Sequence, residues 1–257
     1  MNVKTVYNYN IRYKNFIGGK MAINDVNSLI SGRGGHLKRV NLKGFSGFTL
    51  AEVLITLVII GVIAAMTIPT LINKTNNQEY VSRLKKAYST LSQVTNRIIA
   101  EEGNPNSSIG GWASSTETIF DMYKKYLSNA KVCGIGVTGC FEGTYKQLNN
   151  TAGPNFNSGT RYTLVLADGS EMSMNNNASN FSADCSKNSN GTSRKCQTIA
   201  IDVNGAKGPN VIGRDTFTFS LREDGLIPDG CEISSDTVME TGYACACKVL
   251  RENAMNY

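Results

Sequence analysis

The chain has 257 residues, 41% of them hydrophobic and 18% charged, which is enough apolar material for a packed core and too much for a disordered chain. Its formal charge of +6 is unevenly spread: residues 1–47 hold eight Lys/Arg against one Asp, and the remainder carries a net charge of −1. General attraction for a polyanion is thereby confined to the first fifth of the chain, so nucleic acid is not an expected partner of the rest. The single histidine, His36, lies in that fifth too, which excludes Ser-His-Asp and Cys-His catalysis and histidine-containing zinc sites from everything downstream.

Behind the basic segment, Phe48 to Ile72 form an apolar run with one charge, Glu52. As a helix it spans roughly 37 Å, against a bilayer core of about 30 Å. Lys38, Arg39 and Lys43 place its amino-terminal side in the cytoplasm and residues 73–257 outside it. No small-x-small cleavage site follows, and the run passes directly into an amphipathic stretch, unlike a secretory signal peptide. Glu52 is the costly residue, because a carboxylate this deep in an apolar helix needs a partner. It lies four residues after Phe48. A cut between Gly47 and Phe48 would create an ammonium group one helical turn from Glu52, in the same chain or in a neighbouring copy. The pattern is that of a subunit whose membrane charge is satisfied by assembly.

Lys43-Gly-Phe-Ser-Gly47 followed by Phe48-Thr-Leu-Ala-Glu52-Val-Leu-Ile55 resembles the class III signal of type IV pilins and type II secretion pseudopilins. The resemblance is strong over residues 43–100 and general beyond. It implies cleavage after Gly47 by a membrane prepilin peptidase, N-methylation of Phe48, an assembly role for Glu52, and a helix-loosening proline at Pro69. It also implies other copies, minor pilins or pseudopilins, and an inner-membrane assembly platform as partners. The leader is longer than such signals usually are, and Met21 offers an alternative start.

After Pro69, Tyr80, Leu84, Ala87, Tyr88, Leu91, Val94 and Ile98 recur at three- and four-residue spacing. This predicts one helix over 48–101, disturbed locally at Pro69 and ended by Gly103 and Pro105. A second helix is predicted over 115–128, capped by Ser114 with Glu117 closing a capping box, and with Ile119, Phe120, Tyr123 and Leu127 on its apolar side. Trp112 reads as a packing residue. Strands are predicted over 161–167 and 170–174, joined at Asp168-Gly169 by a type I′ turn, and over 198–203 and 215–221. Residues 149–158 and 175–193 read as surface loops, and 222–230 as a turn-rich exit from the last strand. The expected architecture is α+β: a long amino-terminal helix laid on a small antiparallel sheet. The expected organisation is a removable leader (1–47), a membrane or filament-core half-helix (48–72), an amphipathic half-helix (73–102) and an extracytoplasmic head (103–257).

All seven cysteines fall in that head: Cys133, Cys140, Cys185, Cys196, Cys231, Cys245 and Cys247. Their absence from the leader and the apolar helix favours disulfides in an oxidising compartment over metal binding. Local pairing predicts Cys133–Cys140, Cys185–Cys196, and Cys231 with either Cys245 or Cys247. One cysteine is left over, as a thiol or as a link between subunits.

Asp202-Val-Asn204 and Asp215 offer oxygen donors around a Gly-rich loop. They fit either a hard cation such as Ca²⁺, as in the heads of some pseudopilins, or a turn in which Asp and Asn bond their own backbone. Lys207 in the same loop opposes a cation, and the turn is the favoured expectation, with no cofactor. Enzymatic chemistry lacks a constellation of titratable residues. The expected function is a structural subunit of a type IV pilus or a secretion pseudopilus. It would be held in the inner membrane with its head outside, then placed in a surface or periplasmic filament. A DNA-uptake pilin and a single-pass anchored binding domain are the alternatives.

Overall fold

The structure, a computed structural model, describes residues 47–136, 139–156, 158–177, 181–187, 189, 191, 194–231 and 240–257. The leader ahead of Gly47, with Met21 and His36, lies outside the described residues, as do parts of the expected loop 175–193. The chain divides into two compact units, residues 1–53 and 54–257. Of the first, the described part is the opening turn of helix α1 and its cap. The second holds the rest of α1 and every other described element.

Helix α1 runs Leu50–Glu102, and its buried residues are Tyr80, Val81, Leu84, Ala87, Leu91, Thr95 and Ile98. Steps of three and four residues put these on one face, which is the face that packs. No residue of α1 ahead of Tyr80 is buried. The helix continues through Pro69, whose ring removes one N–H. Around it the Thr67 and Thr70 hydroxyls donate to the carbonyls of Ile63 and Thr67. Gly103 ends the helix with φ +87°, a left-handed conformation that costs glycine little. The Trp112 indole N–H bonds the Gly103 carbonyl at 3.0 Å, so this packing residue also closes the helix terminus.

Helix α2 runs Thr116–Tyr126 and buries Ile119, Phe120 and Tyr123. Its cap is Ser115 rather than Ser114: the Ser115 hydroxyl accepts from the Thr118 N–H at 3.1 Å. That shift puts Thr118, not Glu117, in the third helical position, so no capping box forms.

Six strands follow: β1 (Lys131–Ile135), β2 (Arg161–Val165), β3 (Glu171–Asn175), β4 (Lys195–Asp202), β5 (Thr216–Arg222) and β6 (Gly225–Pro228). They pair in chain order as one antiparallel sheet. The arrangement is the expected α+β one, with two strands more than the sequence reading. Between β2 and β3 the Gly169 N–H bonds the Leu166 carbonyl, and Gly169 alone of the turn residues has positive φ. A type I′ turn needs positive φ at two central residues, so the connection is instead a turn closed by a left-handed glycine. Residues 222–230 are not an exit but a hairpin, pairing Arg222 with Gly225 and Phe219 with Pro228. A last helix, α3 (Cys245–Glu252), closes the chain.

The inner sheet face carries Leu164, Met172, Met174, Ile199, Ile201, Phe217 and Phe219, which form one core with the buried stripe of α1 and with α2. Tyr88 stacks on Phe219 with ring centroids 5.7 Å apart. The outer face is polar yet equally covered: Thr163, Ser173, Asn175, Thr218 and Ser220 are all buried. Over it lies a second apolar cluster of Cys140, Phe141, Tyr145, Phe156, Ala200 and Ile212. Phe156 is therefore an inward-facing residue of what reads in sequence as the surface loop 149–158.

Candidate functional site

Thr49 precedes α1 and caps it. Its N–H and its hydroxyl both donate to Glu52 Oε2 at 2.8 Å, and the Glu52 N–H returns a bond to Thr49 Oγ1 at 3.3 Å. This reciprocal pair is a capping box, and it satisfies amide donors that the first helical turn leaves without partners. It also sets a carboxylate at the positive end of the helix dipole. Glu52 therefore has a partner within its own chain before any second subunit is present. Attention to the membrane charge alone misses this role, although the spacing Thr49-x-x-Glu52 signals it.

Gly47 and Phe48 are exposed, Phe48 at 87%. A Cβ built on Gly47 meets nothing within 4 Å. Nothing in the described packing of the chain itself requires a glycine there. Glu52 lies in the first turn of α1, and Pro69 lies inside the same helix further along the chain.

The apolar side chains between Phe48 and Ile72 face outward, with Ile55, Ile60 and Leu71 each at least 60% exposed. The most apolar 18-residue window of α1 has no buried part and is long enough to cross a bilayer. A contiguous apolar surface of this length is far larger than a soluble monomer leaves bare.

The loop between β4 and β5 brings Asp202 and Asp215 together, both fully buried. Asp202 Oδ1 accepts from the Asn204 and Gly205 N–H groups at 3.1 and 3.0 Å, and Oδ2 from the Tyr145 hydroxyl at 2.7 Å. Asp215 accepts from the Asn210 and Val211 N–H groups at 2.8 and 2.7 Å. Asn204 Nδ2 donates to the Gly208 carbonyl, and Asn204 Oδ1 is the one side-chain oxygen of the three residues that has no partner. Burial, aided by the neighbouring Asp215 charge, pushes the Asp202 carboxyl up to about 8 against the pull of its donors. Burial raises Asp215 as well. The carboxylates thus bond their own loop and Tyr145, and among the described residues no cluster of three His, Cys, Asp or Glu side chains is arranged to hold a metal ion.

Three disulfides join Cys133 to Cys140, Cys185 to Cys196, and Cys231 to Cys247. The last ties the segment that follows β6 to α3. Cys245 remains a thiol inside the head, with no exposed surface from which to link subunits.

Residues 42–68 match the prokaryotic N-terminal methylation motif, which takes in Gly47, Phe48 and Glu52 and stops one residue short of Pro69. No curated protein and no solved structure matches the chain.

Proposed function

We propose, starting from a chain that carries the type IV pilin and pseudopilin signal at residues 42–68, that the protein is a structural subunit of a type IV pilus or a type II secretion pseudopilus. The chain is a pilin-like, membrane-anchored precursor, and the role such signals mark is structural rather than catalytic. In this reading a prepilin peptidase cuts after Gly47 and the new Phe48 amino group is methylated. The subunit waits in the inner membrane with its head outside, and an assembly platform adds it to a filament with copies of itself and minor pilins or pseudopilins.

One observation carries the reading: the uncovered apolar half of α1 begins directly behind the cleavage motif. Lipid covers that surface before assembly, and neighbouring helices cover it afterwards. Burial of apolar area at about 25 cal/mol per Å² is then what holds subunits together. Cleavage also removes the basic segment, so the mature chain has no general electrostatic attraction for a polyanion, and a DNA-uptake role would need a local patch. The mature chain would comprise the half-helix 48–72, its amphipathic continuation to 102, and the head from 103 onward.

The test is the intact mass and amino-terminal sequence of the protein taken from native membranes. A chain beginning at Phe48 and one methyl group heavier than its sequence supports the reading. A chain beginning at Met1 or Met21 in cells with active prepilin peptidase overturns it in favour of an uncleaved anchored binding domain.

A further inference from the structure

The cover over the polar outer face of the sheet does not fill all the space beneath it. Between that face and the overlying segments around Phe156 and Tyr243 lies a pocket of about 190 Å³. At ~30 Å³ per molecule this is room for about six waters, or for one small organic molecule. Four of its lining residues carry the chemistry: Arg161 on β2, Ser173 on β3, Thr198 on β4 and Thr218 on β5. The strand alternation that sends Leu164, Ile199 and Phe219 into the inner core sends these four the other way.

Arg161 is the unusual member. It is half-buried, with its guanidinium 4.6 Å from the centroid of the Phe156 ring and one long bond, 3.4 Å, from Nη1 to Ser173 Oγ. It takes part in no ion pair among the described residues. Burial pulls its pKa down, and the only group opposing that pull is Tyr243. A guanidinium held away from bulk water without a carboxylate is an expensive arrangement unless something anionic completes it. A second, independent observation lies in the same pocket: Thr198 Oγ1 is buried with no hydrogen-bond partner. Thr218 spends its hydroxyl proton on the Tyr243 carbonyl at 3.0 Å, leaving lone pairs to accept. The pocket therefore offers one fixed cation, an unused hydroxyl that can donate, and an acceptor.

We infer that this pocket binds a small hydroxylated monocarboxylate, its carboxylate on Arg161 and Thr198 and its hydroxyls toward Ser173 and Thr218. The guanidinium fork matches carboxylate geometry. A single charge also balances a single arginine, whereas a phosphate dianion would leave one buried charge uncompensated. Such a molecule can come from two sources, a free hydroxy acid or the terminal acidic sugar of a surface glycan. The site needs only the head, so it stands whether or not the chain polymerises.

The experiment is calorimetric titration of the full chain in detergent micelles with glucuronate, its methyl glycoside, glucose and inorganic phosphate. Saturable binding of glucuronate with none of glucose is expected. Binding of the glycoside as well assigns the glycan source, and binding of the free acid alone assigns the soluble one; either outcome supports the site. Arg161→Gln should lose at least about tenfold in affinity. Thr198→Val, which replaces an orphaned hydroxyl by a methyl of the same shape, should weaken binding by about threefold without lowering the melting temperature. No saturable binding of glucuronate, equal binding of glucose, or preference for phosphate overturns the inference. Unchanged affinity in Thr198→Val overturns it even if Arg161→Gln fails to fold.

Discussion

Thr95 and Tyr123 hold their hydroxyl oxygens 2.5 Å apart in the buried contact between α1 and α2. Thr95 has one hydroxyl proton, and it goes to the Leu91 carbonyl at 2.7 Å. Tyr123 must therefore be the donor between the two side chains. Thr95→Val leaves that phenol proton buried without an acceptor and should cost about 1–3 kcal/mol. Tyr123→Phe removes the donor and leaves the Thr95–Leu91 bond intact, so it should cost about 1 kcal/mol. Thermal or urea unfolding of the two variants and the double variant checks the order, and the reverse order would mean that the proton runs the other way.

Glu52 caps α1, and in the proposed assembly its charge would have a second use, so the two can be separated. Gln serves in a capping box as Glu does, so Glu52→Gln keeps the Thr49 contacts and removes the charge. Glu52→Ala removes both. Membrane fractionation should show both variants inserted at wild-type levels. Filament yield should fall in both if the charge docks on the Phe48 amino group of a neighbour. Normal filaments from Glu52→Gln, with loss only in Glu52→Ala, would assign the role to the cap instead.

The buried carboxylates between β4 and β5 give the head a pH dependence of defined sign. Asp202, pushed up to about 8 by burial, keeps in the folded chain a proton that the unfolded chain releases near pH 4. Its contribution is complete below about pH 4 and is lost as pH rises through about 8. Asp215 and Glu171, also raised by burial, act in the same direction. The surface groups Glu101, Glu102 and Asp184 are held low by their hydrogen bonds and ion pairs, and they act with opposite sign only below the usual carboxylate range. Melting temperature should therefore fall steadily from pH 5 to pH 8, and Asp202→Asn should flatten the fall. Added Ca²⁺ at pH 8 should leave the melting temperature unmoved. A rise would mean that Asp202 and Asp215 ionise around a cation, with Asn204 Oδ1 as a neutral ligand.

Cys245 should be inert in the folded head. Burial pushes its thiol up to about 11, and the Tyr257 hydroxyl lies against it. Iodoacetamide should alkylate no cysteine of the native chain, and after unfolding without reductant it should alkylate Cys245 alone. Peptide mapping of the same sample should recover the pairs 133–140, 185–196 and 231–247. A second alkylated cysteine, or a peptide linking Cys231 to Cys245, would contradict the pairing.

Much of this fold is legible in the sequence because its elements obey one period each. The three- and four-residue stripe from Tyr80 to Ile98 yields α1, and β-branched and aromatic runs yield β2, β4 and β5. The missed strands break those rules for physical reasons. β1 contains Gly134 at a register shift, and β6 ends in Pro228, which an edge strand tolerates because its N–H is not needed by a neighbour. The pocket was hidden by a different conflict. Thr163, Ser173, Thr218 and Ser220 alternate with apolar residues as a solvated face would, yet they lie under segments 139–156 and 240–244. Only tertiary cover turns a solvated-looking Arg161 into a half-buried cation.

The position of Tyr80 as the first buried residue of α1 has a consequence for how such a protein can vary. Residues 50–73 answer to whatever surrounds them, and residues 74–102 to the head they support, since Lys74, Asn77 and Gln78 already share a cleft with Asn253 and Asn256. A change in one stretch asks for no compensation in the other. A lineage can therefore redesign the exposed head without disturbing the apolar half of α1, and an engineer can splice a foreign head behind residue 73 on the same terms.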